Sequence, residues 1–138
     1  MEEGTRERRQ FPRIKVELIV RYKILSIPEQ EFDAKTKDIG GGGVCLITRE
    51  QIEPGTILLV DIKFPRSNRP ILATGRVIWH RESSLGPSPA GHVRFDNGIE
   101  FLKISDSDRQ RIIDHVKSEQ EKAPSKDWKI GLVKDLSK

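Results

Sequence analysis

The sequence has little cysteine and few aromatic residues. Cys45 is the one cysteine among 138 residues, which excludes an internal disulfide bond. Hydrophobic residues make up 35% of the chain and aromatic residues 6%, so the core must be small and regularly patterned. No apolar run approaches the roughly 20 residues that a membrane-spanning helix needs. The charged N-terminus lacks the apolar stretch of a secretory signal. These absences predict one soluble domain in the cytoplasm.

The sequence also lacks the residue clusters on which catalysis usually depends. Its three histidines show no metal-ligand spacing with one another or with Cys45. The glycine run at residues 40–43 fits neither the P-loop pattern nor the dinucleotide-binding pattern. The net charge of +4 is mild, and the few aromatic residues fall mostly in core phase, so general nucleic-acid binding is the least favoured function. We predict no enzymatic activity, no metal and no cofactor.

Short runs with a period of two dominate the middle of the chain, and such alternation is typical of half-buried strands. The runs cover residues 16–24, 32–39, 44–48, 58–64, 71–80 and 93–101. A turn is predicted over residues 26–30, and Val77 and Trp79 are predicted to share a face. Asn97-Gly98 indicates either a hairpin or a bulged strand, and the unbroken alternation favours the strand. Five to seven strands predict a mainly β protein, a small closed barrel.

One helix is predicted after the strands. Ser105 is a suitable N-cap with Asp108 three residues later, and an apolar stripe follows at Ile112, Ile113 and Val116. We expect this helix to end before Pro124. The chain is therefore divided into a flexible segment (residues 1–8), a barrel with its helix (residues 9–122) and a tail with an amphipathic pattern (residues 123–138).

Two arginines near the N-terminus form the first candidate binding element. Pro12 keeps the segment from being helical, and four residues of extended chain reach at most about 13–14 Å. Arg9 and Arg13 therefore leave the segment on the same side and could hold one compact anionic ligand, because guanidinium groups bind phosphate and stack on planar bases. Arg8 adds a third group that points the other way. The alternative is a pair of surface arginines before a strand.

The second candidate element is Asp38 with the glycine run that follows it. A carboxylate can accept hydrogen bonds from the two adjacent donors on the edge of guanine. The glycines are expected to allow a turn with positive φ and to leave N–H groups open to an anion. The alternative is an ordinary tight turn between two strands.

In this order along the chain, the two elements resemble the PilZ family. Arg9 and Arg13 match its Arg-x-x-x-Arg, and Asp38 and Gly43 match its Asp/Asn-x-Ser-x-x-Gly, with Gly40 in the serine position. Three later stretches also resemble family motifs: Glu53-Pro54-Gly55, Gly75-Arg76-Val77-Ile78-Trp79 and Gly98-Ile99-Glu100-Phe101. The resemblance covers residues 8–118. It implies a six-stranded antiparallel β-barrel with a C-terminal α-helix that binds the bacterial second messenger cyclic di-GMP.

The resemblance also implies a role for each matching residue. Arg9 and Arg13 would hold the phosphates and stack on the guanines, Asp38 would bind a guanine edge, and Gly43 would allow close approach. Arg8, next to Arg9, is a secondary candidate. Gly40 lacks the serine hydroxyl, a contact worth about 0.5–1.5 kcal/mol, so serine at this position is expected to tighten binding. Arg76, His80 and Arg81 are secondary candidates that the pattern places on a polar exterior.

The predicted function is a receptor for cyclic di-GMP. It would relay binding to a downstream protein by ordering the N-terminal segment. The alternative is a degenerate domain that binds no nucleotide and acts as a protein-interaction module through residues 125–138.

Overall fold

The computed structural model describes the backbone of residues 11–136 and the side chains of residues 11–121. Within this part of the chain, seven strands precede one helix. They are β1 (Arg13–Lys15), β2 (Ile19–Ile24), β3 (Ile27–Gly40), β4 (Gly43–Thr48), β5 (Ile57–Ile62), β6 (Ile71–Glu82), β7 (Phe95–Ile104) and α1 (Asp106–Leu136).

Six of the strands close into an antiparallel barrel. Their order is β3-β2-β5-β6-β7-β4, and β4 pairs again with β3 to complete the ring. β1 is an additional strand on the end of β3, where Arg13 lies opposite Gly40 and Lys15 opposite Asp38. The predicted six-stranded barrel with a C-terminal helix is confirmed. The extra strand begins at Arg13 and lies beside Gly40, the first residue of the glycine run.

The first predicted strand, residues 16–24, starts later than expected, because β2 begins at Ile19. Residues 16–18 link it to the separate short strand β1, which ends at Lys15. The buried Thr36 hydroxyl bridges this gap, because it accepts the Leu18 amide at 2.8 Å and donates to the Val16 carbonyl.

Alternating apolar residues of all six barrel strands fill the core, as the period-two pattern predicts. Helix α1 covers one end of this core with Ile112 and Val116, which are 0% and 1% exposed. The predicted N-cap is confirmed, since the Asp108 amide donates to the Ser105 hydroxyl at 3.0 Å. Asp108 also accepts the Leu72 amide of β6, which attaches the start of the helix to the barrel.

The predicted turn at residues 26–30 and the predicted start of the next strand at residue 32 both need correction, whereas the prediction for β7 is confirmed. The predicted turn at residues 26–30 is a tight turn at Leu25-Ser26, and β3 already begins at Ile27. Pro28 is tolerated there because it lies between the Ile24–Ile27 and Tyr22–Phe32 pairs, where the register of β2 with β3 is interrupted. β7 runs through Asn97-Gly98 as a single strand, as the alternation favoured.

The predicted pairing of Val77 with Trp79 on one face is wrong. Val77 pairs with Ile99 and Trp79 with the next residue, Gly98, so Ile78 is a bulge. The extra residue reverses the alternation, which leaves Val77 in the core and Trp79 on the outer surface with 40% exposure.

The predicted end of the helix before Pro124 is also wrong, because α1 continues to Leu136. Proline removes one backbone donor and crowds the preceding turn. The residues just before it, Glu119-Gln120-Glu121-Lys122-Ala123, are all strong helix formers that offset part of this cost.

Candidate functional site

Arg13 and Asp38 meet at the junction of β1 and β3. The Arg13 guanidinium donates to Asp38 Oδ1 from Nη2 at 2.6 Å and from Nε at 2.9 Å. The Arg13 and Asp38 side chains are 43% and 28% exposed, so the pair lies at the surface. The antiparallel register causes this contact by placing the short β1 strand along the last residues of β3. Two residues that the sequence singled out in separate motifs are therefore neighbours.

Arg8 and Arg9 lie outside the described residues. Of the arginines predicted to bind phosphate near the N-terminus, Arg13 is the one among the described residues. Its position at the start of β1 directs the preceding chain toward the glycine run, through Pro12 and Phe11.

The glycine run does not have the predicted backbone conformation. Among the described residues, positive φ occurs at Arg66, Gly55, Gly86 and Gly91 but not in residues 40–43. Close packing is the reason for glycine here. A Cβ on Gly40 would lie 2.6 Å from the Pro12 carbonyl oxygen, and one on Gly43 would collide with the Ile99 carbonyl of β7. Pro12 and Arg13 occupy the space beside Gly40, and β7 packs closely against Gly43.

Phe11 lies on the middle of the glycine run. A Cβ on Gly41 would lie 2.7 Å from the Phe11 ring and 3.1 Å from Ile113 of helix α1. The Arg109 guanidinium, also on α1, stacks on the same Phe11 ring, with its Cζ atom 5.3 Å from the ring centre. Phe11 and helix α1 therefore contact each other on the surface of the glycine run.

A row of outward-facing residues crosses four strands beside the ion pair. The register aligns Asp38 of β3 with Cys45 of β4, Gly98 of β7 and Trp79 of β6. Three strand spacings of about 4.8 Å make the row about 14 Å long. The Trp79 indole lies directly against Gly98, where a Cβ would overlap it. The row therefore has a carboxylate at one end and an aromatic plane at the other, with small residues between them.

The neighbouring row contains a buried carboxylate. Asp96 is 0% exposed, and its Oδ2 accepts a bond from Lys37 Nζ at 2.9 Å and lies 3.5 Å from Arg81 Nε. Burial alone would raise the pKa of the Asp96 carboxyl, but the hydrogen bonds that it accepts, above all from Lys37, hold that pKa below its ordinary value. Arg81 also stacks on the Trp79 ring at 5.1 Å. The cluster braces the exposed indole.

Cys45 lies in the floor of the first row. It is buried. Burial, with smaller contributions from the carboxylates of Asp38 and Asp96, raises the pKa of its thiol to about 11. The thiol is therefore protonated at neutral pH and serves as a small packing group.

The family model of the PilZ domain matches residues 7–118, a range that includes every strand of the barrel. The chain belongs to the PilZ family. Its membership confirms the resemblance. No curated protein sequence matches the chain.

Solved PilZ structures share the fold. MotI (DgrA) of Bacillus subtilis, an inhibitor of motility, is 20% identical over 82% of this chain, with a TM-score of 0.66. The PilZ domain of Escherichia coli YcgR, solved with cyclic di-GMP, is 13% identical, with 86% of this chain and 98% of that chain covered and a TM-score of 0.63. The K. pneumonia MrkH complex with cyclic di-GMP is 15% identical over 85% of this chain, with a TM-score of 0.64.

The similarity to these structures establishes the PilZ fold. The chain spans about half the length of MotI and MrkH, at 51% and 54% of those chains. In the part of the chain that the structure describes, no three histidine, cysteine or acidic side chains are grouped as metal ligands. Over the same residues, no helix combines the length and apolarity that crossing a bilayer requires.

Sequence reasoning missed three residues around this surface. Trp79 was expected in the core because a one-residue bulge leaves no clear signal in a strand pattern. Phe11 lies within the arginine motif but was not singled out. Arg109 was not singled out, and its position one turn before Ile113, on the helix face that meets Gly41, is the signal that could have found it.

Proposed function

We propose that this PilZ domain binds cyclic di-GMP at the surface formed by Arg13, Asp38 and the row that ends at Trp79. Arg9 and Arg8 are proposed to complete the phosphate contacts from the preceding segment. Gly40 lets Pro12 and Arg13 lie close to this surface, and Gly43 lets β7 lie close to β4 beneath it. No catalytic step is proposed, and the proposed location is the cytoplasm.

The Arg13–Asp38 pair is the observation that carries this proposal. A guanidinium has five N–H donors and a carboxylate has about four acceptor sites. Because both of the bonds from Arg13 end on Oδ1, the pair retains donors for a phosphate and acceptors for the N1 and N2 donors of guanine. Both halves of a guanine nucleotide therefore find complementary groups within one contact.

The exposed Trp79 indole supports the same ligand. Aromatic planes stack on nucleobases, with a contribution of about 1–3 kcal/mol per base. Trp79 lies in the same row as Asp38, and Arg81 holds its indole from one side. A base could thus stack at one end of the row while Asp38 binds an edge at the other. The complexes of YcgR and MrkH with cyclic di-GMP agree with this choice of ligand.

The proposed output is a change in the N-terminal segment. Ligand phosphates would bring its arginines against the barrel, and a downstream protein would bind the surface formed in this way. The competing function is a PilZ domain that binds no nucleotide and acts only through protein contacts. Gly40 in the serine position is the feature that favours this alternative.

Calorimetric titration with cyclic di-GMP tests the binding residues. Charge-assisted bonds contribute about 1.5–3 kcal/mol, so Arg9→Ala, Arg13→Ala and Asp38→Ala should each weaken binding roughly 10- to 150-fold. Arg21→Ala is the matched control, since it removes an exposed arginine on β2 that pairs with Glu31 and Asp33 instead. Equal affinity for the native chain, Arg13→Ala and Asp38→Ala would refute the site.

A further inference from the structure

Phe11 occupies a central place in the arginine motif. It stands two residues from Arg9 and two from Arg13. Its ring is half-buried on Gly41, so the middle of the motif has a fixed contact with the barrel. Any ligand that both arginines hold must be compatible with the place of this ring.

Helix α1 supplies the other side of the Phe11 contact. Arg109 and Ile113 are four residues apart and share one helix face. Arg109 stacks on the Phe11 ring, and Ile113 lies beside Gly41. The adjoining side of this face is buried in the core through Ile112 and Val116. The start of the helix is fixed by the Ser105 cap. The Phe11 ring thus rests against a part of the molecule that is anchored independently of the N-terminal segment.

We propose that Phe11 and Arg109 are positioning residues, through which binding of cyclic di-GMP is coupled to helix α1. The proposal rests on the proposed function. The stacked Arg109 guanidinium holds the Phe11 ring on Gly41, and the ring sets the places of the flanking arginines. Part of the entropic cost of ordering the segment is then already met when the ligand arrives. Reciprocity requires that the ligand also stabilise the contact of the segment with α1.

Binding affinities of single and double variants test the positioning role. Stacking of a cation on an exposed ring contributes about 0.5–1 kcal/mol, so Arg109→Ala should weaken cyclic di-GMP binding about two- to fivefold. Phe11→Ala should weaken it at least as much, and Phe11→Trp should retain the native affinity within about twofold, because tryptophan also stacks with a guanidinium. Lys117→Ala is the control, since it removes an exposed cation from the same helix and should change nothing.

The double variant Phe11→Ala/Arg109→Ala separates positioning from direct contact. A positioning role predicts that it binds no more weakly than Phe11→Ala alone, because Arg109 acts only through the ring. Additive losses would mean that Arg109 contacts the ligand itself and would overturn the proposal. Native affinity in both single variants, beside a native chain that binds, would also overturn it.

Amide hydrogen exchange in α1 tests the coupling by a readout that a purely structural role would not move. In the native chain, saturating cyclic di-GMP should slow exchange in the turn that contains residues 109–113. At saturation, Phe11→Ala should lose this slowing while still binding. Slowing that persists in Phe11→Ala would refute the coupling. A native chain that binds no cyclic di-GMP would instead refute the proposed function on which the coupling depends.

Discussion

Arg13 and Asp38 show how far single residues could be identified from the sequence. Each belongs to a short motif that is weak alone, and the order of several motifs along the chain identified both. Their contact at 2.6 Å depends on the register between β1 and β3, which no local pattern in the sequence encodes. The residue types were therefore predictable, whereas their pairing with each other was not.

Gly40 is a residue for which the structure reverses an expectation. Serine at this position was expected to tighten ligand binding, but its Cβ would lie 2.6 Å from the Pro12 carbonyl and 2.8 Å from Arg13 Cγ. Overpacking of this kind costs about 1–3 kcal/mol. We expect Gly40→Ser to lower the free energy of unfolding by this amount and to weaken binding of cyclic di-GMP.

Urea unfolding and calorimetric titration measure the two effects of Gly40→Ser. Gly42→Ala is the matched control, because its new Cβ would make an ordinary 3.4 Å contact with the Phe11 ring. Tighter binding by Gly40→Ser would show that the segment moves off Gly40 in the complex and would contradict the packing argument.

Cys45 gives a second prediction at this scale. A thiol with a pKa of about 11 is about 0.1% thiolate at pH 8, compared with about a quarter for an ordinary cysteine. Alkylation by iodoacetamide should therefore be slower than that of a free thiol by about two orders of magnitude. The rate should rise about tenfold per pH unit up to pH 10. Labelling at the rate of free cysteine would contradict the assigned environment.

Among the elements, the barrel strands were predictable and their irregularities were not. Alternation located every barrel strand, because burial of one face imposes a period of two. The bulges near Lys37 and at Ile78 each insert one residue, and that insertion follows from barrel closure rather than from local preference. The second bulge moves Trp79 to the surface, so the aromatic end of the candidate site escaped prediction.

The Asp96 cluster joins three elements and should make stability depend on pH. Lys37 of β3 and Arg81 of β6 both meet this buried carboxylate of β7. Because the pKa of Asp96 is lower in the folded state, its contribution is complete above the ordinary value near 4 and is lost as pH falls through the lowered pKa. We expect Asp96→Asn to cost about 1–3 kcal/mol at pH 7.

Urea unfolding at pH 7, 4 and 3 checks this linkage. The native chain should lose more stability between pH 7 and pH 3 than Asp96→Asn does, because the variant has no proton to gain at this position. Asp33→Asn is the control, since its side chain is 91% exposed and should follow the native curve. An equally steep acid loss in Asp96→Asn would remove Asp96 as the source.

For the molecule as a whole, the fold brings two distant parts of the chain to the glycine run. Pro12 and Phe11, which precede β1, lie against Gly40 and Gly41, and Ile113 of α1 reaches Gly41 from the helix. Arg13, at the start of β1, therefore lies near helix α1, which β1 contacts. The sequence predicted the barrel and the helix separately, and their meeting at Gly41 became visible only in three dimensions.

The most direct measurement of the central claim is calorimetry of the whole native chain with cyclic di-GMP, with GTP as the control ligand. The surface has N–H groups that can donate to phosphate beside a carboxylate that can bind guanine. We therefore expect a saturable heat of binding with cyclic di-GMP. GTP should bind more weakly, because its single guanine can pair with Asp38 or stack on Trp79 but cannot occupy both ends of the row. Absence of heat with cyclic di-GMP, or equal affinity for GTP, would contradict the account and favour a PilZ domain that acts through protein contacts alone.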